Sequence, residues 1–175
     1  LTELDQEGLM RPLTKWNAVI PRADMLPDMV RTAFRSMTTG RPGTAHLGLP
    51  IDVQRDPVDP DQIWANPRHA TYPAYPTGPD PDEIDAALDA ILSAKFPVII
   101  CGGGIVLAGG EAAFRAFVDA LDIAVATTVS GQGSLAENHP NNVGVVGSNG
   151  GVDATRDLVL LADLVVFIGC RAGSV

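Results

Sequence analysis

Three consecutive glycines follow a short apolar run in residues 97–110, which read PVIICGGGIVLAGG. A glycine-rich loop between a strand and a helix is typical of nucleotide sites, because its backbone N–H groups can approach a phosphate. Gly102 and Gly104 match the first two positions of the dinucleotide fingerprint, but Leu107 occupies the third. No acidic residue ends the next strand, and no Lys-Ser or Lys-Thr follows the glycines. The pattern disfavours NAD and favours a tight, left-handed turn, with direct phosphate contact as the alternative.

A second glycine-rich loop, residues 145–151, reads VVGSNGG and precedes a predicted helix. Backbone N–H groups at the start of a helix can bind an anion or the edge of a nucleotide. We expect this loop at the same sheet edge as the loop after Cys101, so one ligand could contact both loops. A tight turn with Asn149 and Gly150 in left-handed conformation explains the pattern equally well.

The titratable side chains do not form a reactive group in the sequence. His46, His69 and His139 have no Cys, His or carboxylate partner at metal-ligand spacing, and no Ser-His-Asp arrangement can be proposed. Carboxylates such as Asp82 and Glu83 fall on the polar faces of predicted helices. We therefore expect no catalytic constellation in this chain.

The composition is that of an acidic globular protein. The chain has 175 residues, 46% of them hydrophobic, and a net charge of -9 from 12 basic and 21 acidic residues. That charge disfavours nucleic acid as a partner. No apolar run approaches the roughly 20 residues that span a bilayer, and the first residues lack a signal pattern. Cys101 and Cys170 are predicted to be reduced, buried thiols of a cytoplasmic protein.

The first part of the chain supplies few elements. Helical spacing of apolar residues predicts a helix over 24–37, with Asp24 as N-cap, Pro27 in the first turn and Gly40 as the stop. The sequence of residues 44–50 is typical of a short strand. Seven prolines between residues 57 and 81, without hydrophobic periodicity, indicate a stiff linker between two structural units rather than a loop of one domain.

After the linker, helical and strand patterns alternate. Continuous β-branched and aliphatic runs between amphipathic segments predict an open, parallel, Rossmann-like α/β sheet covered on both faces. The predicted helices are 82–94, 111–121 and 151–162, and the predicted strands are 97–101, 123–128 and 163–169. One helix and one strand before the linker are too little for a domain, so we expect the chain to be a piece of a larger protein.

The ordered set of motifs resembles thiamine-diphosphate enzymes of the acetolactate synthase group. The first part of the chain resembles the end of their N-terminal, pyrimidine-binding domain. The resemblance lies in KW, the amphipathic helix that follows it, and GRPGTAHLGLPIDVQ. The Pro-rich linker and the segment from PVIICGGG to FIGCR resemble the start and body of their central domain. The resemblance implies a pyrimidine-domain tail over 1–55, a linker over 56–82 and a truncated central Rossmann-like domain over 83–175.

The resemblance also implies a function. Such enzymes have three α/β domains, work as homodimers or homotetramers, and act on 2-oxo acids or related acyl donors by decarboxylation and carboligation. Thiamine diphosphate and Mg²⁺ bind through an early glutamate and a C-terminal motif that both fall outside this sequence, so we expect this fragment to be inactive alone. The alternative is a non-catalytic Rossmann module that binds a nucleotide.

The resemblance further implies a central-domain pocket that holds FAD in this group and ADP or nothing in other members of the superfamily. Arg41 of GRPG matches an arginine that meets the flavin cofactor. The other matching positions are Gly102, Gly103, Gly104, Gly147, Ser148, Asn149, Gly150 and Arg171. The chain departs from the flavin-binding pattern where relatives often read GMHG and GxRFDD. Gln132 matches a loop that points toward the substrate, with a turn role as the alternative.

Overall fold

A computed structural model describes residues 4–172, which divide between two compact units, Leu1–Thr77 and Gly78–Val175. The helices of the first unit are α1 (Gln6–Met10) and α2 (Leu26–Thr38), and its strands are β1 (Trp16–Val19) and β2 (Ala45–Gly48). The second unit has α3 (Pro81–Ser93), α4 (Gly104–Leu107), α5 (Glu111–Leu121) and α6 (Asp153–Leu160). Its strands are β3 (Pro97–Cys101), β4 (Ala124–Thr127), β5 (Asn142–Val145) and β6 (Leu164–Ile168).

The first unit is built around a two-stranded parallel sheet. β1 pairs with β2 from Trp16 opposite Ala45 to Val19 opposite Gly48, and α2 makes the crossover between them. Ile20, 1% exposed, forms a small core with Ala23 and Val53. The sequence pattern missed β1, because the strand is only four residues long and its side chains are half-buried or exposed.

Helix α2 begins later than its sequence pattern indicates. Asp24 as N-cap is wrong: this residue lies in a 3₁₀ turn, Ala23–Met25, and its carboxylate pairs with Arg22 at 2.8 Å. Pro27 does fall in the first turn of α2. Gly40 follows the helix with a φ of +61°, which confirms its predicted role as the stop.

Residues 56–77 pack within the first unit. The Arg31 guanidinium of α2 donates to the Gln62 carbonyl at 2.9 Å and lies 4.3 Å from the centre of the Trp64 ring. The Ala74 N–H donates to the Thr38 carbonyl at the end of α2. The compact units therefore divide at Thr77 and Gly78, later than the start of the predicted linker. The assignment of residues 1–55, 56–82 and 83–175 to family domains stays a prediction.

The second unit confirms the Rossmann-like open parallel sheet. Its four strands are all parallel, in the order β5-β4-β3-β6, so β3 lies inside the sheet between β4 and β6. Ile99 and Val125 are fully buried and pack with Phe114 and Val118 of α5. The pattern missed β5, since Asn142 and Gly144 interrupt its apolar run and its pairing with β4 shifts register.

Asp163 joins the starts of β3 and β6, and this contact predicts a pH-dependent stability. Its carboxylate accepts the Lys95 and Phe96 N–H groups at 2.7 and 2.8 Å, and these two bonds lower the pKa of Asp163 below 3.8. The stabilisation is therefore present above pH 3.8 and is lost as pH falls through the lower folded-state pKa. We expect Asp163→Asn to destabilise the second unit at neutral pH, with a deficit that shrinks below pH 3.8 in acid titrations followed by circular dichroism.

Asp85→Asn is the matched control, because Asp85 is exposed on α3 and the change removes the same charge. It should leave the acid transition at its wild-type pH. A deficit of Asp163→Asn that stayed constant down to full protonation would contradict the prediction.

Candidate functional site

The parallel sheet of the second unit brings four loops to one edge. They follow β3 (102–104), β4 (128–133), β5 (146–151) and β6 (169–171). The chain order changes direction at β3, whose neighbours are β4 on one side and β6 on the other. Ligands of open α/β sheets bind at the carboxyl ends of the strands, beside such a switch point. This edge is therefore the candidate site.

Backbone hydrogen bonds join the loop after β3 to the end of β6 and the loop that follows it. The Gly102 N–H donates to the Ile168 carbonyl and the Gly104 N–H to the Gly169 carbonyl, both at 2.9 Å. A methyl group on Gly102 would lie 2.4 Å from the Gly169 oxygen. Two of the three glycine N–H groups are thus already bonded and do not face a phosphate.

The glycine triplet does not form the expected left-handed turn. Gly103 has a φ of −61°, and Gly102 and Gly104 also lack positive φ values. The left-handed residue is Gly169, at +60°, in the loop that packs against them. Close approach of two backbones, rather than φ, is what excludes a side chain at the triplet.

The loop after β4 packs against the triplet from the other side. A methyl group on Gly103 would lie 2.6 Å from the Ser130 oxygen, and one on Gly131 would lie 2.2 Å from the Cys101 oxygen. Thr128 Oγ1 accepts the Gly131 N–H at 3.1 Å. Gln132, for which a substrate contact or a turn role is expected, follows this anchored turn and is exposed. Its role stays a prediction.

The loop after β5 turns at its glycines. Gly147 and Gly150 have φ values of 126° and 135°, and the Gly151 N–H donates to the Gly147 carbonyl at 2.9 Å. The expectation of a left-handed Asn149 is wrong, because the glycines absorb the positive φ angles. Ser148 and Asn149 are exposed at the tip of the turn.

The two thiols differ in environment. Cys101, at the end of β3, is fully buried, and burial raises the pKa of its thiol to about 11. Cys170, in the loop after β6, is only half-buried, and its Sγ accepts the Ala172 N–H at 3.3 Å. Both are free. The prediction of a buried core thiol is confirmed for Cys101 and wrong for Cys170, which lies in a loop rather than inside a strand.

Exposed polar side chains stand at this edge beside the packed glycine backbone. Ser148, Asn149 and Arg171 are exposed in the loops after β5 and β6. A guanidinium group pairs well with phosphate, and the hydroxyl and amide can bond ribose or base atoms. Strand β4 ends at Thr127, and neither this residue nor Thr128 after it supplies a carboxylate for a ribose. The edge thus presents exposed side-chain donors in the loops after β5 and β6.

Arg41 lies in the first unit, whereas the other predicted cofactor residues lie in the second. It is exposed in the turn after α2, and its carbonyl accepts a hydrogen bond from Lys15 Nζ at 2.9 Å. Lys15 carries no signal of this role in the sequence, because nothing in the chain links residues 15 and 41 before folding.

The first unit also contains an apolar cavity that the sequence analysis did not predict. It has a volume of about 420 Å³ and lies between α2 and residues 58–70. Ile63 and Trp64, both exposed, are among the residues that line it. Within residues 4–172, no group of three or more His, Cys, Asp or Glu could hold a metal ion, and no helix has the length and hydropathy needed to cross a bilayer.

Comparison with known proteins assigns the chain to a family. Residues 84–175 match the family described as "Thiamine pyrophosphate enzyme, central domain". The chain is 38% identical over 171 residues to a probable acetolactate synthase large subunit of Methanococcus aeolicus, covering 97% of this chain and 28% of that protein.

Further relatives agree with this assignment. An acetolactate synthase large subunit of Corynebacterium glutamicum is 33% identical, covering 97% of this chain and 26% of the relative. A glyoxylate carboligase of Escherichia coli O157:H7 is 29% identical, with 96% and 28% covered. The chain thus spans less than a third of the length of these relatives. It belongs to the thiamine pyrophosphate enzymes, in their acetolactate synthase-like group, and carries their central domain.

Proposed function

We propose that this chain is part of a thiamine-diphosphate- and Mg²⁺-dependent enzyme that acts on 2-oxo acids or related acyl donors. The reaction is a decarboxylation followed by transfer of the acyl unit to a small-molecule acceptor. Thiamine diphosphate, when bound, supplies the electron sink for this chemistry. The observation that carries the proposal is the similarity to acetolactate synthases along 97% of the chain.

The chain contributes structure and cofactor binding rather than catalysis in this proposal. The described residues supply a packed sheet edge with exposed polar side chains, and no catalytic residue is assigned to them. The fragment is therefore expected to be inactive alone. The whole enzyme works as a homodimer or homotetramer. A cytoplasmic location is favoured by the two free cysteines, because stable disulfides form mainly in oxidising compartments.

The cofactor-binding part of the proposal is an adenine nucleotide, FAD or ADP. Within the second unit, Arg171 provides a cationic group and the loop after β5 provides hydroxyl and amide groups. Arg41, in the first unit, is proposed on its own as a nucleotide contact. The glycines let the loops pack closely beneath the ligand. The proposed positions are Arg41, Gly102, Gly103, Gly104, Gly147, Ser148, Asn149, Gly150 and Arg171.

The activity is tested on the whole protein that contains these residues. We expect CO₂ release from pyruvate or glyoxylate that disappears after removal of thiamine diphosphate and Mg²⁺ and returns when both are added. No turnover with any 2-oxo acid would reject the enzyme and favour the alternative, a non-catalytic nucleotide-binding module.

Calorimetry with FAD, ADP and NAD tests, separately from the activity, which nucleotide binds. FAD or ADP should bind more tightly than NAD, because β4 ends without an acidic residue for the ribose. Arg171→Gln should weaken binding, whereas Arg115→Gln, which removes an exposed arginine of α5, should not. Tight NAD binding would contradict this assignment even if the enzyme is active.

A further inference from the structure

Lys15 holds the main chain of the turn that carries Arg41. Its ammonium group donates to the carbonyl oxygens of Thr39 and Arg41, with the second distance 2.9 Å. Lys15 stands at the start of β1, 24 and 26 residues before these partners. A single cation thus spans the turn that follows α2.

The position of this ammonium group is electrostatically favourable. Thr39 is the C-cap of α2, where unpaired carbonyl oxygens leave a partial negative charge. Because a charge-assisted hydrogen bond is stronger than a neutral one, two such bonds restrain the turn more than neutral donors would.

The rest of the turn has few other restraints. Gly40 has a φ of +61°, and the Gly43 N–H reaches the Met37 carbonyl only at 3.4 Å. A methyl group on Gly43 would lie 3.1 Å from Lys15 Cβ, so glycine at this position lets the lysine stem cross closely. The Lys15 main chain continues the contact, since its N–H donates to the Thr44 carbonyl at 2.8 Å.

We propose that Lys15 is a positioning residue for Arg41. The inference rests on the proposed function, in which Arg41 binds an adenine nucleotide. Lys15 bonds the carbonyl of Arg41, while the Arg41 residue itself stays exposed and available to a ligand. Fixing the turn before binding lowers the conformational entropy that the ligand would otherwise have to overcome. Lys15 acts through the main chain of the turn and not by contact with the nucleotide.

The test measures FAD affinity by calorimetry in the whole protein. We expect Lys15→Met to weaken FAD binding about tenfold, as loss of an ordered charged contact does. Lys15→Arg should restore part of the affinity, since it can still donate to the carbonyls. Lys95→Met removes the other lysine of the chain, which is exposed at the start of β3, and should leave binding unchanged.

A double-mutant cycle separates positioning from direct contact. If Lys15 acts only through Arg41, Lys15→Met should add nothing once Arg41→Gln is present. Additive losses would show that Lys15 contacts the nucleotide itself and would overturn the inference. Hydrogen exchange without ligand provides the second readout: amides of residues 40–44 should exchange faster in Lys15→Met than in wild type.

The outcomes distinguish failure of the positioning role of Lys15 from failure of the proposed nucleotide-binding role of Arg41. If Arg41→Gln weakens FAD binding and Lys15→Met does not, the positioning role of Lys15 is wrong and the binding role of Arg41 stands. If Arg41→Gln binds FAD like wild type, the assigned role of Arg41 fails and this inference fails with it. Unchanged exchange at residues 40–44 in Lys15→Met would also overturn the inference, whatever the affinity.

Discussion

Replacing Gly102 with alanine should lower the free energy of unfolding of the second unit by about 3 kcal/mol, at the upper end of overpacking effects. The added methyl would lie 2.4 Å from the Gly169 oxygen and 2.6 Å from Cys170 Cα. These are backbone atoms on the neighbouring loop, so the conflict is relieved only by separating β3 from β6. Hydrogen exchange of the β3 amides measures the loss of stability in the second unit. Both tryptophans, Trp16 and Trp64, lie in the first unit, so their fluorescence reports that unit as an internal reference.

Gly78→Ala is the matched control, because a methyl group there meets nothing within 4 Å. It should change the free energy of unfolding by less than about 1 kcal/mol. If Gly102→Ala unfolded like wild type but lost nucleotide binding, the glycine would serve the ligand rather than loop packing. Equal destabilisation with and without FAD would instead support the packing role.

Replacing Ile99 with alanine should destabilise the second unit by about 3–4 kcal/mol. Ile99 is fully buried in β3, where it lies opposite Val125 of β4 and Val166 of β6. A parallel sheet covered by helices cannot collapse easily around the cavity that truncation leaves. Urea unfolding followed by circular dichroism, together with exchange of the β3 amides, provides the measurement.

Leu92→Ala supplies the comparison for this core substitution. Leu92 lies on α3 and is 68% exposed, so its truncation should cost no more than about 0.5 kcal/mol. Ile99→Val should fall between the two at about 1 kcal/mol. A loss at Leu92 as large as that at Ile99 would mean that β3 is not the centre of this core.

Elements that are buried along their length were predictable from the sequence. The apolar run of β3 and the amphipathic repeat of α5, Glu111–Leu121, match their predicted bounds. Burial on both faces of a strand, or on one face of a helix, requires a pattern of side chains that the sequence displays directly. The family resemblance followed from the order of these segments and was confirmed by the comparisons.

Short or irregular elements were not predictable in the same way. Strands β1 and β5 have four residues each and polar or glycine positions, so their pairing depends on partners distant in the chain. Asp24, which the sequence pattern indicated as the N-cap of α2, lies in the 3₁₀ turn before this helix. Residues 56–77, predicted to be part of a stiff linker between two units, pack within the first unit through Arg31 and Trp64. Proline content alone does not reveal such contacts.

The sequence by itself determined the class of fold, the elements that are buried along their length, such as β3 and α5, and the absence of the NAD fingerprint at Gly102–Gly104. These features depend on local composition and spacing, which the chain carries before it folds. Only the tertiary structure decided why the three glycines are needed and which residue holds the Arg41 turn. The carbonyls that bond the Gly102 and Gly104 N–H groups come from Ile168, at the end of β6, and from Gly169 just after it. The ammonium that bonds the Arg41 carbonyl comes from Lys15, just before β1. Such contacts join residues far apart in the chain, so they exist only once the sheets have formed.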